Sequence, residues 1–191
     1  MKEVVGDLDN REMQMLINEW LGESDVGIQK LEIDGKIGPL SRGAFIEFQR
    51  DKKLKVDGMC GPETQYELMF YKYKNFRKEE FKCKCNGLGC DGYPVKVDES
   101  LIALLQSIRK YFGKPLNISS GIRCPIHNNK VGGTKNSYHM KGRAADFKVS
   151  GVSPDLVYAK SSELNGTGGV IRYKTFTHLD TRKGKLRLDY R

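Results

Sequence analysis

The 191-residue sequence predicts a small three-helix domain followed by an α+β domain built as an antiparallel sheet with helices. Three observations carry this expectation. A turn-and-helix unit occurs twice in the first 70 residues, an aperiodic charged stretch follows at 71–84, and helical and strand periodicities then alternate to the C-terminus.

In the first domain, Met13, Leu16, Ile17, Trp20 and Leu21 recur at the spacing of one helical face, with Gly22 as the expected stop. Ile33-Asp34-Gly35-Lys36-Ile37-Gly38-Pro39 then returns 23 residues later as Val56-Asp57-Gly58-Met59-Cys60-Gly61-Pro62. Asp-Gly makes a turn and Pro favours a first helical position, so helices are predicted to start near Pro39 and Pro62. Leu40, Ala44, Phe45 and Phe48 are expected to pack on the Trp20 face. The stretch YKYKNFRKEEFKCK from Tyr71 to Lys84 has no clean period, which places the junction between domains 1–74 and 75–191.

In the second domain, Leu101, Leu104, Leu105, Ile108 and Phe112 mark a helix opened by Asp98 or Ser100, and Ser153-Pro154 opens another. Strands are predicted around 116–119, 145–149, 169–173 and 176–182 from β-branched and alternating residues.

Charge is unevenly placed. Residues 1–75 hold 11 Lys and Arg against 14 Asp and Glu, whereas residues 76–191 hold 22 against 10. A basic surface attracts any polyanion, but no nucleic-acid motif accompanies it, and nucleic-acid binding is not expected. No apolar run reaches the length of a membrane span, so no membrane insertion is expected. The N-terminus MKEVVGDLDNREM has acidic residues where a secretion signal needs an apolar stretch, and synthesis in the cytoplasm without a signal peptide is the expectation. Five cysteines, an odd count, fit free thiols better than disulfides. Cys83, Cys85, Cys90 and Cys124 lack paired C-x2-C knuckles; free thiols are the expected state, with a four-thiolate zinc as the alternative.

The chain has only three histidines, His127, His139 and His178. His139 lies in Ser137-Tyr138-His139-Met140-Lys141-Gly142-Arg143-Ala144-Ala145-Asp146, seven positions before Asp146. Ser120-Gly121-Ile122-Arg123-Cys124-Pro125-Ile126-His127-Asn128 precedes it, and Phe176-Thr177-His178-Leu179-Asp180-Thr181-Arg182 follows downstream. This ordered set, over roughly residues 81–182, resembles the zinc D,D-peptidases, the family of D-Ala-D-Ala carboxypeptidases and L-Ala-D-Glu endopeptidases that share a metal-centre fold with hedgehog domains. The repeated DGxxGP units, with Phe48-Gln49 before Leu54-Lys55-Val56-Asp57-Gly58, resemble the peptidoglycan-binding domain that accompanies many wall hydrolases.

The resemblance implies zinc held by His139, Asp146 and His178, with a fourth tetrahedral position left open as hydrolysis requires. It also implies that Arg123 grips substrate, and that Ser137 and Asn128 shape or bind it. His127 is read as structural. Asp180 shares a strand face with His178, so it is expected beside the metal, as general base or as the carboxylate that orients a ligand. The family's usual acid or histidine just before the last ligand is replaced here by Thr175 and Phe176.

The implied function is hydrolysis of an amide bond in the stem peptide of bacterial peptidoglycan, by a phage endolysin or a wall-remodelling enzyme acting as a monomer on the wall after release. The bond is left open between terminal D-Ala-D-Ala, internal L-Ala-D-Glu and a cross-link. The alternative is a non-catalytic zinc-containing wall-binding protein, for which the missing acid near position 175 speaks.

Overall fold

In a computed structural model describing residues 8–191, the chain divides into two compact units, 1–74 and 75–191. The first seven residues, part of the acidic N-terminus on which the expectation about secretion rests, lie outside the described residues.

The first unit contains α1 (Asn10–Glu23), α2 (Pro39–Asp51) and α3 (Pro62–Lys72). Asp9 caps α1 by accepting a hydrogen bond from the Glu12 amide at 2.8 Å. The helix runs through Gly22 to Glu23, one turn position beyond its expected stop. Both repeat prolines stand at the first helical position, where a missing N–H costs nothing. Ile17, Trp20, Ala44, Phe45, Phe48 and Leu68 form the buried core, with the Trp20 and Phe48 rings packed edge to face at 5.3 Å. Leu40 departs from expectation: it is 79% exposed, because the inward stripe of α2 begins at Ser41 and continues through Ala44, Phe45 and Phe48.

Each repeat is tied by one buried glutamine that the repeat itself does not contain. Gln14 donates to Asp34 Oδ1 at 2.8 Å and to the Lys36 carbonyl at 3.1 Å, and accepts from the Gly35 amide at 2.7 Å. Gln49 repeats the arrangement, donating to Asp57 Oδ1, the Met59 carbonyl and Thr64 Oγ1 while accepting from the Asp57 and Gly58 amides. Gly35 and Gly58 adopt left-handed φ values of 79° and 68°, which completes each turn at little steric cost.

The second unit holds a five-stranded sheet in the order β1-β2-β4-β3-β5. Its strands are β1 (Leu116–Ser120), β2 (Ala144–Val149), β3 (Gly169–Tyr173), β4 (Thr177–Asp180) and β5 (Leu186–Tyr190). The sheet is antiparallel except for β3 and β5, which pair in parallel; β5 was not anticipated from the alternation. Helix α4 (Glu99–Phe112), capped by Asp98, and α6 (Pro154–Leu164), capped by Ser153, pack on the sheet. Leu101, Ile102, Leu105 and Ile108 of α4 are buried, as are Phe147, Val149, Val157, Val170 and Leu179. A short α5 (Pro125–Lys130) and two 3-10 turns, Lys78–Phe81 and Tyr138–Lys141, complete the unit. No described helix is long and apolar enough to cross a membrane.

The glutamine tie yields a test. Gln49→Ala strips partners from two backbone amides and a carbonyl in one turn, and should destabilise the protein by on the order of 3 kcal/mol in denaturant unfolding. A loss below about 0.5 kcal/mol, the range of ordinary surface substitutions, would show that the turn stands without the tie.

Candidate metal centre and active site

Sheet register builds most of the site. Strands β2 and β4 pair so that Asp146 lies directly opposite His178, and Ala144 opposite Asp180. His139 comes from the 3-10 turn that precedes β2. The three side chains meet: His139 Nε2 is 3.2 Å from His178 Nδ1 and 3.3 Å from Asp146 Oδ1, and His178 Nδ1 is 2.8 Å from Asp146 Oδ1. All three residues are buried.

The partners on the far side of each ring fix which nitrogen faces the cluster. His139 Nδ1 lies 2.6 Å from the Gly121 carbonyl, which can only accept, so Nδ1 carries the proton and Nε2 presents its lone pair inward. His178 Nε2 lies 3.1 Å from Asp180 Oδ2 and donates to it, which leaves Nδ1 facing the cluster. Two nitrogen lone pairs and a carboxylate oxygen thus converge, an arrangement that calls for a cation between them. Ligands about 2.0–2.1 Å from a tetrahedral zinc lie about 3.3 Å apart, and the observed triangle has nearly those edges. The donor set fits zinc.

Supporting contacts are tight. A side chain at position 121 would bring its Cβ within 2.6 Å of the Phe81 backbone, so only glycine allows the close approach that aims this carbonyl at His139. Arg123 Nη2 pairs with Asp146 Oδ2, its Nε donates to Ser120 Oγ at 2.9 Å, and its backbone amide donates to the His139 carbonyl at 3.1 Å. Asp180, completely buried, receives Arg182 Nε at 2.7 Å and Nη2 at 2.6 Å as well as His178.

Charge states follow from these partners. Burial holds the His139 imidazole below its ordinary pKa and therefore neutral. Burial also opposes ionisation of Asp146, but in the metal-free chain the adjoining His139 and His178 rings outweigh it and hold the carboxyl far below the usual range. Asp180 is pulled down in the same way, against its burial, by His178 and Arg182. His178 is buried too, yet the carboxylates of Asp146 and Asp180 on either side of its ring raise its pKa in the metal-free chain.

The expected ligands His139, Asp146 and His178 are brought together, and Arg123 lies against them through Asp146 Oδ2; the remaining anticipated residues fall elsewhere. Asp180 sits behind His178 on Nε2, one imidazole ring away from the converging atoms. Of its two anticipated roles the geometry supports orientation. Asn128 is completely buried and spends its amide on the Thr134 carbonyl at 2.9 Å, so it shapes the 128–134 loop from beneath. Ser137 is buried at the start of the turn bearing His139, its carbonyl accepting from the Met140 amide. His127 is half-buried and outside the converging set. Sequence reasoning missed the Gly121 carbonyl, since a backbone acceptor leaves no residue-type signal. It also gave no role to Arg182, although alternation already placed it on the Asp180 face.

Acid stability of the metal-free chain should report the buried carboxylates. Asp146 and Asp180 have depressed folded values, so their contribution is complete above the unfolded carboxylate pKa of about 3.9 and is lost as pH falls toward those lower values. Thermal unfolding across that range should show stability falling with pH, with a shallower acid limb in Asp180→Asn. An acid limb of unchanged slope in the variant would count against a buried ionised Asp180.

Comparison with known proteins agrees with this geometry. The family described as "Peptidase M15" matches residues 74–180, and "Putative peptidoglycan binding domain" matches residues 11–68. The chain is 34% identical over 131 residues to the zinc D-Ala-D-Ala carboxypeptidase of Streptomyces albus G, covering 62% of this chain and 50% of that protein. It is 48% identical over 52 residues to the "Probable peptidoglycan L,D-endopeptidase MepK" of Haemophilus influenzae, covering 26% of this chain and 27% of that one. Identity to the peptidoglycan L,D-endopeptidase MepK of Escherichia coli strain K12 is 32% over 94 residues, 44% of this chain and 51% of that one. The chain thus spans about half, or less, of the curated relatives it matches. With more than half its length matched and the His139, Asp146 and His178 set assembled in that part, the chain belongs to the peptidase M15 family.

Proposed function

We propose that the protein is a zinc-dependent peptidase that hydrolyses an amide bond in the stem peptide of bacterial peptidoglycan, with its first unit serving to bind the wall. The observation that carries the reading is the inward convergence of His139 Nε2, Asp146 Oδ1 and His178 Nδ1, with both ring orientations set from behind. His139, Asp146 and His178 would hold the ion. When bound, zinc polarises a substrate carbonyl and lowers the pKa of water, the two aids that amide hydrolysis needs.

The chain's own residues supply the remainder. Asp180, held by Arg182, keeps the His178 ring turned so that Nδ1 faces the site, and the Gly121 carbonyl does the same for His139 Nε2. Arg123, only partly buried beside Asp146, puts a guanidinium where a substrate oxyanion or terminal carboxylate would come, and its planar fork suits either. The named activities of the relatives, a D-Ala-D-Ala carboxypeptidase and an L,D-endopeptidase, bracket the bonds to be tested.

In the first unit, a groove of about 590 Å³ is lined by Gln14, residues 28–32, Asp34, Lys36 and the start of α2. It lies against the first repeat turn and includes the exposed Leu40, so it is the surface we assign to the wall. A binding unit joined to a hydrolase suits a lytic, endolysin-type enzyme.

A second reading is favoured by one observation. The converging set contains a single carboxylate, Asp146, and Asp180 faces away from it, so a zinc-containing wall-binding protein without peptidase activity is the competing function. Clearing of a cell-wall suspension, abolished by a chelator and restored by zinc, separates the two. Mass spectrometry of the released fragments identifies the bond.

Two predictions follow from the favoured reading. His139→Ala should lose one equivalent of zinc by elemental analysis and all hydrolysis, while Asp180→Asn should keep the site but bind zinc about 10–100-fold more weakly. Full zinc retention in His139→Ala would sink the ligand assignment. A chain beginning near Asn75 should still cut small soluble stem peptides yet lose most of its activity on intact walls, and equal activity of the two on walls would remove the binding role of the first unit.

A further inference from the structure

Outside the site described above, one other cluster of metal-binding groups occurs among the described residues. The Sγ atoms of Cys83, Cys85, Cys90 and Cys124 all lie within 4.8 Å of one another, and Cys85 and Cys90 approach to 3.5 Å. We propose that these four cysteines form a second metal site, a closed tetrathiolate that holds one structural zinc ion. This goes beyond the peptidase reading and does not depend on it.

The geometry argues for one ion. Sulfurs about 2.3 Å from a tetrahedral zinc stand about 3.8 Å apart, so the observed group is already close to the shape a single ion imposes. Four sulfur donors in tetrahedral array leave no open position, which is the mark of a structural site. The spacing in sequence had pointed to free thiols because Cys85 and Cys90 are separated by four residues and Cys124 is remote. Folding removes that objection by laying the 83–92 loop against the start of α5.

The sulfurs also sit among N–H donors, as thiolates require. The Cys124 amide points to Cys83 Sγ at 3.3 Å, the His127 amide to Cys124 Sγ at 3.4 Å, and the Gly92 amide to Cys90 Sγ at 3.4 Å. A zinc ion with four thiolates carries two net negative charges, and the exposed Lys82 and Lys84 alternate with the first two ligands in sequence. Gly89 lies so close to Cys124 that a Cβ there would come within 2.8 Å of its Sγ, so the loop is packed onto the sulfur cluster.

The site would act as a clamp. It joins the segment after Phe81 to the segment containing Gly121 and Arg123, where the Ile122 amide donates to the Phe81 carbonyl at 2.8 Å. Those neighbours orient His139 and Asp146. Binding of zinc releases the thiol protons to solvent, so the site should fill more readily as pH rises.

The test uses the full chain, purified under reducing conditions and reconstituted with zinc or cobalt alone. The expected result is two zinc ions per wild-type chain, one in His139→Ala and one in Cys90→Ser. Cobalt in His139→Ala should give intense thiolate-to-cobalt charge-transfer absorption, which histidine and carboxylate ligands cannot produce. Zinc should also protect four of the five thiols of the wild-type chain from alkylation, a measurement that needs no variant. Absence of the cobalt band, alkylation of all five thiols in the zinc-loaded protein, or a Cys85–Cys90 disulfide found by mass spectrometry would each overturn the proposal. None of these readouts depends on peptide hydrolysis, so the failure of either site is distinguishable from failure of the other.

Discussion

Three lone pairs directed at one point constrain the second unit. Without a cation, His139 Nε2, His178 Nδ1 and the Asp146 carboxylate would not be held at 2.8–3.3 Å with both rings turned inward unless something behind them prevented rotation. That support comes from every side. The β2–β4 register sets two of the donors opposite each other, the Gly121 carbonyl anchors the third, and the Asp180–Arg182 pair stops His178 from turning away. A rigid sheet and a fully satisfied set of outer partners preorganise the site, so little rearrangement is left for the moment of binding.

The two units solve different problems with similar means. In the first, Gln14 and Gln49 each spend one buried amide on binding together an Asp-Gly turn, which lets a core of few residues present rigid loops at its surface. In the second, Asp180 is the buried group around which neighbours are ordered, and it carries charge because Arg182 and His178 both donate to it. Burying such a charge is costly unless its partners are complete, and Arg182 and His178 complete them here.

Much of this was legible in the residues. The Asp-Gly and Gly-Pro positions located both turns and the starts of α2 and α3, and the strand alternation correctly put His178 and Asp180 on one face. Alternation does not say which ring nitrogen a neighbour meets. That choice shows in the contact of His178 Nε2 with Asp180 Oδ2, which Arg182 holds from the other side, so Asp180 lies behind the ring. Leu40 failed for a related reason: helical periodicity defines a stripe but not where a partner helix begins to cover it.

The sequence by itself located α1 to α3, α4, α6 and the first four strands, and it singled out the three residues that the fold brings together, because turn chemistry, periodicity and the SxHxxGxAAD and HxD strings are local. Only the tertiary structure decided what those donors face, that Asn128 lies beneath its loop, and that Cys124 comes to Cys83, Cys85 and Cys90. Each of these depends on backbone segments tens of residues apart meeting at distances of a few ångströms. Strand register and the close approach of Gly121 to Phe81 set those distances, and no spacing along the chain encodes them.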